Sequence, residues 1–182
     1  MRFWIKSILK LILTILWFTG LIQAADAPPS EYKLKAAFLF HFSQFVDWPA
    51  RSFSDGQAPF VIGVLGNNPF AADLEQTIHG KIVGNHLLTV KQFHSLAEVA
   101  TNCQILFISS SEQARLPEIF LSLAGSNILT VGEADNFGEA GGMIHFVLEG
   151  TKIRFRVNEV AATRAGLKIS AKLLNLASHT KR

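Results

Sequence analysis

The 182-residue chain has one cysteine, Cys103, so no disulfide can form within it. In an oxidising compartment a lone thiol is usually buried or paired between chains. Cys103 precedes the apolar run Gln-Ile-Leu-Phe-Ile, which points to burial. The motifs of common chemistries are missing as well. The six histidines (41, 79, 86, 94, 145, 179) are scattered, with no HExxH or CxxC spacing, so no metal site is expected. Gly63-Val-Leu-Gly66-Asn-Asn lacks both the GxGxxG spacing and the Lys-Ser/Thr ending of a phosphate loop, and reads as a strand-to-helix turn. The serines at 109–111 have no GxSxG context; their expected role is to cap a helix. No pair of carboxylates is arranged for acid/base work. Catalytic residues and cofactors are therefore not expected, and the chain does not read as an enzyme. It also shows no internal repeat and no linker to a second domain.

Charge is scarce at the start. Arg2, Lys6 and Lys10 are the only charges before Asp26, and a twelve-residue apolar run follows Lys10, then Gln-Ala-Ala. That order is the signature of a secretory signal peptide, expected over residues 1–24. The run falls short of the roughly 20 residues a membrane span needs. Residues 25–30, with two prolines, read as a flexible leader, and 31–182 as a single domain outside the cytoplasm. The chain has 17 Lys and Arg against 14 Asp and Glu; without Arg2, Lys6 and Lys10 the two signs balance. The basic pI thus carries no argument for nucleic acid. The distribution does carry information. Residues 151–182 hold eight cations and one anion, Glu159, whereas 25–150 hold six cations and thirteen anions. Such polarity suggests a local anion site or polarised surface, or else a solvated basic helix whose charges pair with the acidic remainder.

Apolar positions 34, 38, 41–42, 45 and 48 recur at helical spacing, His41 being the polar exception, and predict a helix from Glu31 to the residues before Pro49. Strands are expected at 60–65, 86–93, 105–108 and 127–131, with helices at 70–78, 95–100 and 112–123 between them. This alternation predicts an α/β layered sandwich: a largely parallel central sheet, helices on both faces, and a C-terminal antiparallel hairpin followed by a long helix over 159–177. Ligands in such sheets bind beyond the carboxyl ends of the strands, here the loops 66–70, 109–112 and 132–142.

The hairpin at 141–158 is the most informative stretch. A two-residue turn at Glu149-Gly150 sets His145 opposite Arg154 and Met143 opposite Arg156; a one-residue slip would change these partners but not the alternation within each strand. Ile144, Phe146, Leu148, Ile153, Phe155 and Val157 then share a core face. Met143, His145, Val147, Lys152, Arg154 and Arg156 share the other. In the following helix Asn158 is the expected cap. Val160, Leu167 and Leu174 form one stripe, and Arg164, Lys168 and Lys172 a basic one. His145, Arg154, Arg156 and Arg164 are the candidate ligand- or partner-binding residues, since arginine's planar fork suits carboxylate or phosphate. The alternative is that these are plain solvent faces.

Five segments in order resemble a known family: Lys35-Ala-Ala-Phe-Leu-Phe-His-Phe-Ser-Gln-Phe-Val-Asp-Trp-Pro49, Val61-Ile-Gly-Val-Leu-Gly-Asn-Asn-Pro-Phe70, Cys103-Gln-Ile-Leu-Phe-Ile-Ser109, Gly141-Gly-Met-Ile-His-Phe-Val-Leu-Glu149 and Ala165-Gly-Leu-Lys-Ile-Ser-Ala-Lys-Leu-Leu174. The chain is similar to the YfiR-like family of secreted proteins. The resemblance implies a periplasmic regulator that represses an inner-membrane diguanylate cyclase by binding its periplasmic sensor region, which lowers cyclic-di-GMP and restrains biofilm formation. It further implies a homodimer, sequestration by an outer-membrane lipoprotein, and a small anionic ligand as the alternative partner. One departure concerns redox control: the family's disulfides need a second cysteine, aligned near Gly63, and this chain has only Cys103.

Overall fold

Runs rich in Val, Ile, Leu and Phe make strands buried on both faces. Three such runs, β2 (Phe60–Leu65), β5 (Ile105–Ile108) and β6 (Leu129–Gly132), the first and last with a glycine and β6 with Thr130, form the middle of a seven-stranded sheet. The computed structural model describes residues 31–67, 70–99 and 103–177; the expected signal peptide and leader lie outside the described residues. In chain order the elements are α1 (Glu31–Phe45), β1 (Val46–Asp47), β2, α2 (Phe70–Ile78), β3 (Ile82–Val83), β4 (His86–Phe93), α3 (Leu96–Val99), β5, a 3-10 segment (Ser110–Arg115), α4 (Leu116–Ser122), β6, β7 (Ile144–Glu149), β8 (Lys152–Val157), α5 (Glu159–Arg164), β9 (Lys168–Ile169) and α6 (Ala171–Leu176). The sheet runs β3-β4-β2-β5-β6-β7-β8. Strands β4 to β7 in this spatial order pair in parallel; β3 and β8 are antiparallel edges. The expected α/β architecture is therefore present, and no helix among the described residues is long and apolar enough to cross a membrane.

One apolar cluster lies on each face of the sheet. The larger joins α1 and α2 to Ile62, Val64, Ile105, Phe107, Val131, Phe146 and Phe155. The smaller joins Leu65, Phe93, Leu106 and Ile108 to Leu116, Ile119 and Phe137. Cys103 belongs to this second cluster. It is buried, its Sγ lies 2.7 Å from the Ile105 carbonyl oxygen, and burial pushes its thiol pKa up to about 12, so it stays protonated and inert. A Cβ placed on Gly63 would lie 2.9 Å from Cys103 Sγ, with the Phe93 ring closer still at 2.4 Å. This chain thus fills with an aromatic edge the space beside its only thiol.

The stripe of α1 is rotated from its expected position. Lys35, Ala36, Leu39, Phe42 and Ser43 are buried, while Leu34 and His41 are exposed. The helix also stops at Phe45, because Val46 and Asp47 leave it to pair with β9. The larger correction concerns residues 159–177. They form no long helix but two short ones with a strand between. Gly166 takes φ +74, a left-handed conformation open to glycine, and closes α5 with bonds from Gly166 N–H to Thr163 and Leu167 N–H to Ala162. Lys168 and Ile169 then extend against β1, and Ser170 caps α6 through Leu173 N–H. The stripes expected from one helix do not form: Leu167 is buried, Val160 is exposed, and Arg164 and Lys168 lie on different elements. Asn158 does cap α5, accepting from Ala161 N–H at 3.0 Å.

The glycine-rich stretch 132–142 wraps an aromatic ring. Phe137 is fully buried, and a Cβ on Gly132 or Gly142 would meet its ring at 2.2 or 2.1 Å. Glycine is needed here for close approach rather than for backbone conformation. Gly142→Ala should therefore overpack the loop and cost about 1–3 kcal/mol in urea-denaturation stability. Adding Phe137→Leu should recover part of the loss, and an unchanged denaturation midpoint for the single variant would show that the ring has room.

Candidate functional site

The carboxyl ends of β2 and β5 flank the point where strand order reverses, the usual ligand position in an open sheet. Their loops are tied to each other instead. Ser111 Oγ accepts from Asn67 N–H at 3.0 Å, Ser109 Oγ donates to the Asn67 carbonyl at 3.3 Å and accepts from Ser111 N–H, and Gln92 Nε2 donates to the Gly66 carbonyl at 2.9 Å. Ser109 thus has the capping role expected of it.

A cavity of about 580 Å³ lies further along, where β7 outruns its neighbour. His145 sits opposite Gly132, the last residue of β6, and β7 continues to Glu149, so the hairpin projects past the sheet. The cavity is bounded by the start of α1 (Glu31, Tyr32, Lys35), the loop after β6 (Glu133, Asp135) and the projecting hairpin with His145 and Arg156. Four phenylalanines seat the hairpin. Phe155 meets Phe38 and Phe42 edge-on at 5.4 and 5.1 Å, and Phe146 lies 5.9 Å from each of the same two rings.

Lys35 is the buried charge of the cavity. Its ammonium pairs with both Glu31 and Glu133 and lies 5.4 Å from the Tyr32 ring centroid. Burial alone would push its pKa down, but the hydrogen bonds and charges of Glu133 and Glu31 prevail and hold it above the usual value. Sequence reading missed this residue, although a signal existed: Lys35 falls on the stripe of Leu39, Phe42 and Val46 at spacings of four, three and four.

The candidate residues are only partly brought together. Gly150 takes φ +63 in a Gly150-Thr151 turn, one residue later than expected, so each cross-strand partner moves by two residues: His145 faces Arg156, and Val147 faces Arg154. A turn centred on Glu149-Gly150 would have required Glu149 in a left-handed conformation, which a side chain disfavours. The alternation survives, with Ile144, Phe146 and Phe155 buried and Lys152, Arg154 and Arg156 exposed; Leu148, at the tip, is exposed although on the core side. Arg164 is elsewhere, at the end of α5, beside a separate cavity of about 420 Å³ lined by Phe120, Leu123 and Thr130. Helix α5, which Asn158 caps directly after β8, carries Arg164 to its far end and onto that other surface.

Electrostatically the site is mixed rather than basic. Glu31, Glu133 and Asp135 line the same cavity as Lys35 and Arg156. His145, half-buried, has its pKa lowered by burial and then by the Arg156 charge, only partly offset by Asp135 and the Ala134 backbone. It is therefore neutral at pH 7. Among the described residues, none of Lys152, Arg154, Arg156 and Arg164 makes an ion pair, whereas Lys35 and Arg115 do. The hairpin and α5 cations thus do not pair with the acidic part of the chain.

The site is thus a charged hairpin projecting beside a polar cleft at the end of the sheet. The chain belongs to the YfiR/HmsC-like family, whose model matches residues 32–178. Members of this family are periplasmic regulatory proteins without a catalytic role of their own, associated with diguanylate cyclase control.

The His145 environment has a direct consequence. By NMR its ring should titrate below the ordinary histidine value of about 6.5. Arg156→Gln should move the midpoint part of the way back, because burial remains, whereas Arg154→Gln, opposite Val147, should move it less. The lowered pKa means that the unfolded chain binds the proton first as pH falls. Stability should drop between about pH 6.5 and the folded midpoint, and His145→Gln should flatten that slope.

Proposed function

We propose that the protein binds the periplasmic sensor region of an inner-membrane diguanylate cyclase and represses it, lowering cyclic-di-GMP. The observation that carries this reading is the set of unpaired cations on the projecting hairpin in a member of a regulatory family. Lys152, Arg154 and Arg156 are exposed on one strand, held rigid by the aromatic contacts behind it, and have no acidic partner within the described chain. Preorganised cations of this kind steer and orient a partner surface of opposite charge. His145 and Arg156, adjacent across the ladder, would act as one patch with Arg154; Arg164 belongs to a different surface.

A small-anion carrier is less well supported. The cavity beside Arg156 is lined by three carboxylates, and Lys35 is already engaged by two of them. A free anion entering it would meet repulsion as well as attraction.

The tagged mature protein, cross-linked and recovered with inner-membrane proteins, should bring down a diguanylate cyclase. Arg154→Glu with Arg156→Glu should weaken that association by about tenfold or more, since charge reversal turns attraction into repulsion, and should raise a cyclic-di-GMP reporter. Circular dichroism should show the variant folded, because both side chains are exposed. Recovery of no cyclase by the wild type would overturn the reading.

A further inference from the structure

The two edges of the sheet are finished differently. β3 is two residues long, too short to template another strand. β8 is six residues, without proline or glycine, paired residue for residue with β7, and last in the sheet order. The bond from Asn158 N–H to the Met143 carbonyl sets the phase of its ladder. Lys152, Arg154 and Arg156, at even spacing from Asn158, direct their backbone groups at β7. Ile153, Phe155 and Val157 direct theirs outward, where no hydrogen bond to them occurs among the described residues. An open backbone edge therefore lies beneath a row of three unpaired cations.

We infer that this edge takes up an acidic, extended segment of a partner protein as an eighth strand of the sheet. This deepens the regulatory reading by specifying how the partner is held. Backbone bonds to Ile153, Phe155 and Val157 would supply the attachment, and alternate carboxylates facing Lys152, Arg154 and Arg156 the selection. Directly opposite unlike charges stabilise such a pair and like charges destabilise it. That rule excludes a second copy of this chain as the occupant. An antiparallel β8–β8 pairing sets residues of the same face opposite each other, so Arg154 meets Arg156 in one register, and in the next Arg154 meets itself while Lys152 meets Arg156. Cations meet cations in each.

Amide hydrogen exchange tests this, first on the wild-type protein. In the free protein the Ile153, Phe155 and Val157 amides should exchange fast and those of Arg154 and Arg156 slowly. An eight-residue peptide alternating glutamate and valine should slow exchange at the first three by at least about tenfold. The same peptide with lysine for glutamate should not. Arg154→Glu with Arg156→Glu should reverse the preference between the two peptides. Unchanged exchange at these amides with the glutamate peptide and with a bound cyclase sensor region would overturn the strand-addition mode while leaving the regulatory reading intact. Protection by the peptide with no cyclase recovered would do the opposite. Protection that grows with protein concentration alone would identify a second copy as the occupant and overturn the inference.

Discussion

The packing of Phe38 and Phe42 against Phe146 and Phe155 is the contact on which the projecting hairpin depends. Side chains alternate along a strand, so seating two phenylalanines inward leaves no choice for their neighbours. His145, Val147, Arg154 and Arg156 must face the other way. The same contact anchors the hairpin beyond the end of β6, where the sheet itself gives no support on that side. A one-residue shift of either strand would bring arginine against α1 and expose phenylalanine, so the register is strongly specified there.

Around this anchor the loops at the carboxyl ends of the strands are consumed in structure. The serines after β5 bind the loop after β2, and the glycines on either side of Phe137 clasp its ring. Glu133 reaches back to Lys35 and ties the loop after β6 to α1. The space left open is the cleft under the projecting hairpin, and its charge is mixed because it is lined by the ends of acidic and basic segments alike. Further out, on β8, the exposed cations have no ion-pair partner among the described residues. These exposed cations are gathered at one edge, while the single thiol is buried and protonated.

Much of this was legible from local pattern. The runs 60–65, 86–93 and 105–108 became strands with those bounds, the helix at 70–78 did likewise, and Ser109 and Asn158 cap as their side chains allow. The two faces of the hairpin followed from period-two alternation. What failed were inferences about how separate segments meet. The turn at 149–150 moved to Gly150-Thr151 because only glycine tolerates the positive φ there. Residues 159–177 have helical spacing on paper, yet Gly166 and a pairing to β1, more than a hundred residues earlier, divide them. That division parts Arg164 from Lys168 and Lys172, so the basic stripe of a single helix does not form.

The sequence by itself determined the α/β class, the strands of the sheet centre and which residues of the hairpin are cationic together, because these depend on the chain's own periodicity and on burial. Tertiary structure alone decided that Lys35 would be neutralised by a glutamate 98 residues away, that the arginine cluster would lose one member, and that β8 would be the open edge. Those outcomes depend on which strand ends up last and which loop meets which helix. Such long-range meetings are settled by the packing of both apolar clusters at once, and no local window of residues encodes them.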